Sequence, residues 1–228
     1  MGPQDTPAEN EARRDLPPLR LRLLGQGLSL AIARAPGLWP LLRRPTRRFW
    51  ERSAAQWDER IKPDRAEHLA PLAAACDRLE REAESILELG TGTGAGALML
   101  ARRFPRARVR GVDISVAMVD AARAKAPPEL ADRIDFVAAD AATLPFEDRA
   151  FDLVAQLNVP VYLDEVARVL RPGGHLIVAS SLGPDTPYYT PDAVLARECA
   201  RRGLESVATG DASGGTYFLA RRAGEKAP

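Results

Sequence analysis

The chain is poor in the residues from which metal sites, disulfides and membrane spans are built. It has two cysteines, Cys76 and Cys199, far apart and each in an Ala-rich helical context, so buried thiols are expected rather than a bridge or a metal centre. Histidines also number two, His68 and His175. No apolar run approaches the ~18 residues of a transmembrane helix. Residues 1–15 are polar and mixed in charge, which argues against a secretory signal and for a disordered tail. An intracellular, cytoplasmic protein is expected. A net charge of +1 offers no broad basis for nucleic-acid binding.

Acidic residues are missing altogether from one stretch. Between Leu16 and Trp50 there are seven arginines and no Asp or Glu. The same stretch is rich in leucine and is punctuated by Pro17, Pro18, Pro36, Pro40 and Pro45, which predicts short helices with a turn at each proline. It reads either as a helical lid or as an arm lying on an anionic membrane surface, Leu and Trp39 inserted and Arg at the headgroups. Helices are predicted at 49–61 and 63–82, the second with Pro71 as a kink.

From residue 85 the texture changes. Short apolar runs at 85–90, 107–114, 134–140, 151–158, 175–181, 204–210 and 215–222 predict seven strands. Helical stretches fall at 95–104, 115–126, 163–170 and 191–203, with Ser115 as an N-cap and "RPGG" as a helix stop. Such alternation implies an α/β fold, a doubly wound sheet, mostly parallel, with helices on both faces and an antiparallel C-terminal hairpin closed by "DASG". The organisation expected is a tail (1–15), a basic helical arm (16–62) and a sheet domain (63–228).

The sheet domain opens with "LELGTGTGAG" (87–96), four glycines in seven positions between a strand and a helix. A turn there lies outside the carboxyl ends of the strands, where such sheets bind ligands, and glycine lets the backbone approach closely. Three acids fall at successive strand ends. Glu88 lies inside the first strand, and a buried carboxylate needs a cation or donors. Asp113 ends the second strand, where an acid bonds ribose hydroxyls in nucleotide-binding sheets. Asp140 ends the third and is suited to accept from an adenine amino group. The dinucleotide fingerprint Gly-x-Gly-x-x-Gly fits poorly: counted from Gly90 or Gly92, the third glycine is Ala95 or Ala97.

On these residues the sequence resembles the class I S-adenosylmethionine-dependent methyltransferases, and within them the small-molecule branch similar to quinone-biosynthesis enzymes. "ILELGTGTGAG", "GVDIS", "DFVAADAATLPFEDRAFDLV" and "LDEVARVLRPGGHLIV" carry the resemblance, which spans about residues 50–222. It implies a seven-stranded Rossmann-like sheet, S-adenosylmethionine as cofactor, and methyl transfer to a small, lipophilic acceptor at oxygen or carbon. The cofactor would be held by Glu88 (ammonium), the loop Gly90, Thr91, Gly92 and Gly94, Asp113 (ribose), Ile114 (adenine face), Asp140 and Ala141 (adenine edge), and Leu157 and Asn158 under the sulfonium.

In-line methyl transfer needs alignment first and a base only for a high-pKa nucleophile. The catalytic group is left unassigned, neither histidine being expected to carry it. Substrate contacts are assigned to Trp57, Asn158, Tyr188 and Tyr189, with the alternatives of a core tryptophan, a strand terminator and plain loop anchors. "NVPVY" (158–162) lacks the spacing of the amino-methylating DNA motif, and no nucleic-acid partner is expected. The stretch from the fourth strand to the next helix is shortened, which also admits a non-catalytic cofactor-binding subunit. Acceptor and oligomeric state are not legible.

Overall fold

The computed structural model describes residues 16–224; the tail expected at 1–15 lies outside them. The element order is α1 (Leu19–Arg34), α2 (Trp39–Ser53), α3 (Trp57–Ile61), α4 (Ala66–Cys76), β1 (Ser85–Leu89), α5 (Ala95–Arg103), β2 (Arg108–Asp113), α6 (Val116–Lys125), β3 (Ile134–Ala138), β4 (Phe151–Leu157), α7 (Leu163–Val169), β5 (Leu170–Ser180), α8 (Asp192–Ala200), β6 (Leu204–Ala212) and β7 (Gly215–Arg222). The strands form one sheet in the order β3-β2-β1-β4-β5-β7-β6. All pairs are parallel except those of β7, which runs antiparallel between β5 and β6. The strand order reverses between β1 and β4, so a crevice opens at their carboxyl ends.

Alternating side chains feed two cores. Ile86, Leu153, Ile177 and Leu219 meet α4, α5 and α6 on one face. Leu87, Val154, Leu176 and Phe218 meet α7 and α8 on the other. The central strands β1 and β4 are therefore buried nearly throughout rather than alternating, as a sheet covered on both faces requires, whereas the edge strand β6 is largely exposed. Both cysteines are buried in these cores, one on each face, and burial pushes their thiols up to about 12.

Local chemistry explains the boundaries. Ser115 caps α6, accepting from the Met118 amide. Ser213 and Gly214 both have positive φ, the geometry of a two-residue type I′ hairpin turn between β6 and β7.

Four expectations are corrected. Pro45 does not break the arm: it lies inside α2, and Pro40 lies in that helix's first turn. The carbonyl that Pro45 cannot bond is that of Leu41, an exposed residue, so water can serve it. The helix expected at 49–61 is interrupted by a 3₁₀ turn at Ala54–Gln56. Helix α4 stops at Cys76, where i→i+3 bonds tighten the chain and bring Leu79 back onto the core. "RPGG" lies within β5, as an irregularity in its pairing with β4, because strand pairing resumes at Leu170 directly after α7.

Candidate active site

One cleft, enclosing about 960 Å³ that is partly open to solvent, lies at the carboxyl ends of β1, β2, β3 and β4. Its floor is made by strand ends and its roof by α2 and α3.

On the floor Glu88 is buried on the α5 side of β1. The Thr91 hydroxyl and the Ala97 amide donate to it. Burial dominates, and Asp113 adds repulsion, so its carboxyl is pushed up to about 7 despite those bonds. This arrangement depends on Gly96: a Cβ there would stand 1.8 Å from the Glu88 Oε1. Asp113 accepts from the Gly92 amide at 2.9 Å and from the Ser115 amide at 2.9 Å. Burial raises it to about 6, with these bonds opposing. The glycine loop is thus tied to the end of β2 before any ligand arrives.

At the end of β4, Asn158 has φ +57°, a left-handed conformation that asparagine tolerates better than most residues. Its Oδ1 accepts from the Ser181 amide at 2.8 Å and its Nδ2 donates to the Ser181 hydroxyl at 2.8 Å. These bonds fix which end of the amide faces His68. The Nδ2 lies 3.3 Å from the His68 Nε2, so that nitrogen is the acceptor and Nδ1 carries the proton of the neutral ring. Burial lowers the His68 pKa, outweighing the opposing charge of Asp64. Burial therefore favours the neutral ring, whose unprotonated Nε2 meets Asn158 at the wall of the cleft.

All three tryptophans of the chain line the roof. Trp50 meets Trp57 edge-on at 5.2 Å and Tyr188 at 6.2 Å; Trp39 meets Tyr162 edge-on at 5.3 Å. The Trp39 indole donates to both oxygens of Asp140 at 2.9 Å, and Arg43 stands 3.6 Å from the same carboxylate. Glu51, the one acid of α2, accepts from the amides of Val116 and Ala117, unpaired donors of the first turn of α6. Asp58 of α3 accepts from Thr93 in the glycine loop and pairs with Lys125. Roof and floor are joined by this handful of polar bonds.

Of the residues singled out from sequence, Glu88, Gly90, Thr91, Gly92, Asp113, Ile114, Asp140, Ala141, Leu157, Asn158, Trp57 and Tyr188 line the cleft. Two do not. Gly94 (φ +91°) turns away from it, its missing Cβ facing Ala122 and Phe136, so it serves packing. Tyr189 is only partly buried and lies off the lining. The lining also includes Trp39, Trp50, Tyr162 and His68, which sequence reasoning did not assign to the site. A usable signal existed for two of them. Trp39, Trp50 and Trp57 are spaced by eleven and seven residues, close to whole turns of a helix with ~3.6 residues per turn. His175 lies in β5 opposite Leu153 and Arg221, away from the cleft.

Residues 86–174 match the family described as a methyltransferase domain. The chain is 45% identical over 107 residues to a demethylmenaquinone methyltransferase of Thermus thermophilus, covering 44% of this chain and 48% of that protein. It is 35% identical over 151 residues to a ubiquinone/menaquinone biosynthesis C-methyltransferase of Syntrophotalea carbinolica, covering 62% and 63%. The chain thus spans about half the length of several curated relatives it matches. Among solved structures, a SAM-dependent methyltransferase from Aquifex aeolicus superposes with a TM-score of 0.60 at 18% identity, over 70% of this chain and 93% of that one. At that identity the likeness carries the fold alone.

Proposed function

We propose that this chain, which carries a class I S-adenosylmethionine-dependent methyltransferase domain, transfers the sulfonium methyl of that cofactor to a small lipophilic acceptor, at oxygen or carbon. The observation that carries the reading is the convergence of Glu88, Asp113 and Asn158 at the ends of β1, β2 and β4 beneath one aromatic roof. Glu88 suits the cofactor's ammonium, Asp113 its ribose hydroxyls, and Ile114 and Asp140 its adenine. Bound there, S-adenosylmethionine supplies an activated methyl group. The protein's part is to hold donor and acceptor in line and to exclude water. Aromatic ring faces such as Trp57 favour a cation, as the sulfonium is.

Where the acceptor is a hydroxyl, His68 is the group we assign to take its proton. Its unprotonated Nε2 is held at the end of β4 by a 3.3 Å contact with Asn158 that an acceptor hydroxyl would displace, and burial favours the neutral ring. An apolar, aromatic roof fits an acceptor of phenol or quinol type.

The five-residue connection 158–162 between β4 and α7 favours a second reading, a domain that binds cofactor and does not turn over. Calorimetric titration with S-adenosylhomocysteine, with NAD as comparison, tests the shared premise. Micromolar binding of the former alone is expected, weakened at least tenfold in Asp113→Ala. Unchanged affinity in that variant would remove the site assignment. Transfer of labelled methyl to lipophilic phenols and quinols, lost in His68→Asn while cofactor affinity is kept, would separate catalysis from binding alone.

A further inference from the structure

The roof helices have a second side. In α1 the inward face is Arg22, Gly25, Ser29, Ile32 and Ala33, at helical spacing. It is fitted to the segment before α8: Arg22 pairs with Asp185, Ser29 bonds Thr190 at 2.8 Å, and a Cβ on Gly25 would stand 2.3 Å from the Pro187 carbonyl oxygen. The outward face presents Leu19, Leu23 and Leu24, the last 73% exposed. In α2, Trp39, Thr46 and Trp50 face the cleft. Turned outward are Leu41 (77% exposed), Pro45 and Phe49, an i, i+4, i+8 stripe. A second exposed stripe, Arg44, Arg48 and Arg52, runs alongside it with the same spacing.

This surface is unusual for the molecule. Among the described residues, seven of the eleven exposed large hydrophobic ones fall between Leu19 and Phe49. Arg20, Arg34, Arg44 and Arg48 make no ion pair with any other described residue. No helix among the described residues is long and apolar enough to cross a membrane, so an apolar surface here lies on, not through, a bilayer.

We propose that the outward surface of α1 and α2 docks on an anionic lipid bilayer, leucines and Phe49 entering the headgroup boundary and the arginines meeting lipid phosphates. Charge decides between occupants. A second copy joined through the same patch would set arginine against arginine, because residues 16–50 hold no acid to answer them. An anionic bilayer answers both stripes at once, with each arginine stem lying along apolar surface and its head at the phosphates. The proposal rests on the exposed surface alone and stands whether or not the chain turns over. If both hold, the helix that roofs the cleft also touches the phase in which a lipophilic acceptor dissolves.

The test is co-sedimentation of the full chain with sonicated vesicles of phosphatidylcholine alone and of phosphatidylcholine with 30% phosphatidylglycerol, at about 0.1 and 0.5 M salt. Binding to the anionic vesicles is expected, at least tenfold stronger than to neutral ones and weakened by salt. Leu24→Glu with Leu41→Glu, and separately Arg48→Glu with Arg52→Glu, should each reduce it at least tenfold. Both variants change only exposed residues outside the cleft, so their S-adenosylhomocysteine affinity and melting temperature should stay at wild-type values. Absence of binding to either vesicle at low salt would overturn the proposal, as would binding indifferent to lipid charge or to both variants. So would a concentration-dependent dimer abolished by the leucine variant, which would assign the patch to a second copy.

Discussion

The floor and the roof of the cleft are built by different physics. The floor holds its carboxylates and amide by backbone donors: Asp113 by Gly92 and Ser115, Asn158 by Ser181, Glu88 by Ala97. These partners belong to the loops leaving the strands and to the first turn of α5, so the sheet and the helix packed on it fix their positions. The roof is held by ring contacts and a few side-chain bonds, from helices that do not pair with the sheet. A floor of this kind suits a constant ligand, and a roof of this kind can be resurfaced without touching the sheet.

Breaking the floor should cost most. In Gly96→Ala the new methyl takes the space of the Glu88 carboxylate, which cannot stay bonded to Thr91. Alanine gains about 1 kcal/mol of helix propensity over glycine. Overpacking of a buried site costs about 1–3 kcal/mol and should win. The measurement is paired: S-adenosylhomocysteine affinity by calorimetry, expected to fall at least tenfold, and stability by thermal unfolding, expected to fall modestly. Affinity within twofold of wild type would show that the Glu88 carboxylate does not matter to the ligand.

The floor can be sharpened by pH. Glu88 is raised from 4.5 to about 7 and Asp113 from 3.8 to about 6, in both cases by burial. A raised carboxyl binds its proton more tightly folded than unfolded, so stability falls as pH rises from the unfolded to the folded pKa. Glu88 should therefore withdraw stability, on the order of 3 kcal/mol, as pH rises from about 4.5 to 7. His68 and His175, both lowered by burial, act in the opposite sense below 6.5, so the Glu88 share is read as the difference between wild type and a Glu88 variant. Carboxylates held low by donors, such as Glu165 beside Arg168, act only below that window. Glu88→Gln should flatten the melting temperature between pH 6 and 8 and raise it at pH 8. A variant profile parallel to wild type would mean that Glu88 titrates normally.

The same division governs what the sequence revealed. Strand ends are legible because a short apolar run fixes where a strand stops, and Glu88, Asp113 and Asn158 each sit at a stop. Among the loop glycines, Gly90 and Gly92 line the cleft, whereas Gly94 has the positive φ expected of the loop and faces Ala122 and Phe136. The roof was less legible because helix docking is a tertiary decision. Pro45 argued for a break, yet the bond it removes falls on the carbonyl of Leu41, an exposed residue, and α2 continues and carries Trp50 to Trp57 and Tyr188. His68 gave no periodic signal, since it becomes informative only beside Asn158, ninety residues away in the chain. The C-terminal hairpin and the order of elements from β1 onward, in contrast, follow directly from local patterns.

The smallest effect expected is at the clasp between the two parts, the Trp39 indole on Asp140. Trp39→Phe keeps a ring beside Tyr162 but removes the N–H together with part of a buried indole, a packing loss that the cycle below cancels. Hydrogen bonds to charged groups contribute about 1.5–3 kcal/mol, and Arg43 and the Ala142 amide still serve the carboxylate, so the lower end applies. A double-mutant cycle of Trp39→Phe with Asp140→Asn, read by thermal unfolding, should return a coupling of about 1.5 kcal/mol. The cycle also separates two roles for Asp140. An ionised carboxylate has acceptor sites beyond those the indole takes, so it can hold the roof and still accept from an adenine amino group. On that account Trp39→Phe leaves S-adenosylhomocysteine affinity within about threefold of wild type while Asp140→Asn lowers it further. If Trp39→Phe instead tightened binding tenfold, indole and ligand would be competing for one carboxylate, and the roof would be a plug rather than a lid.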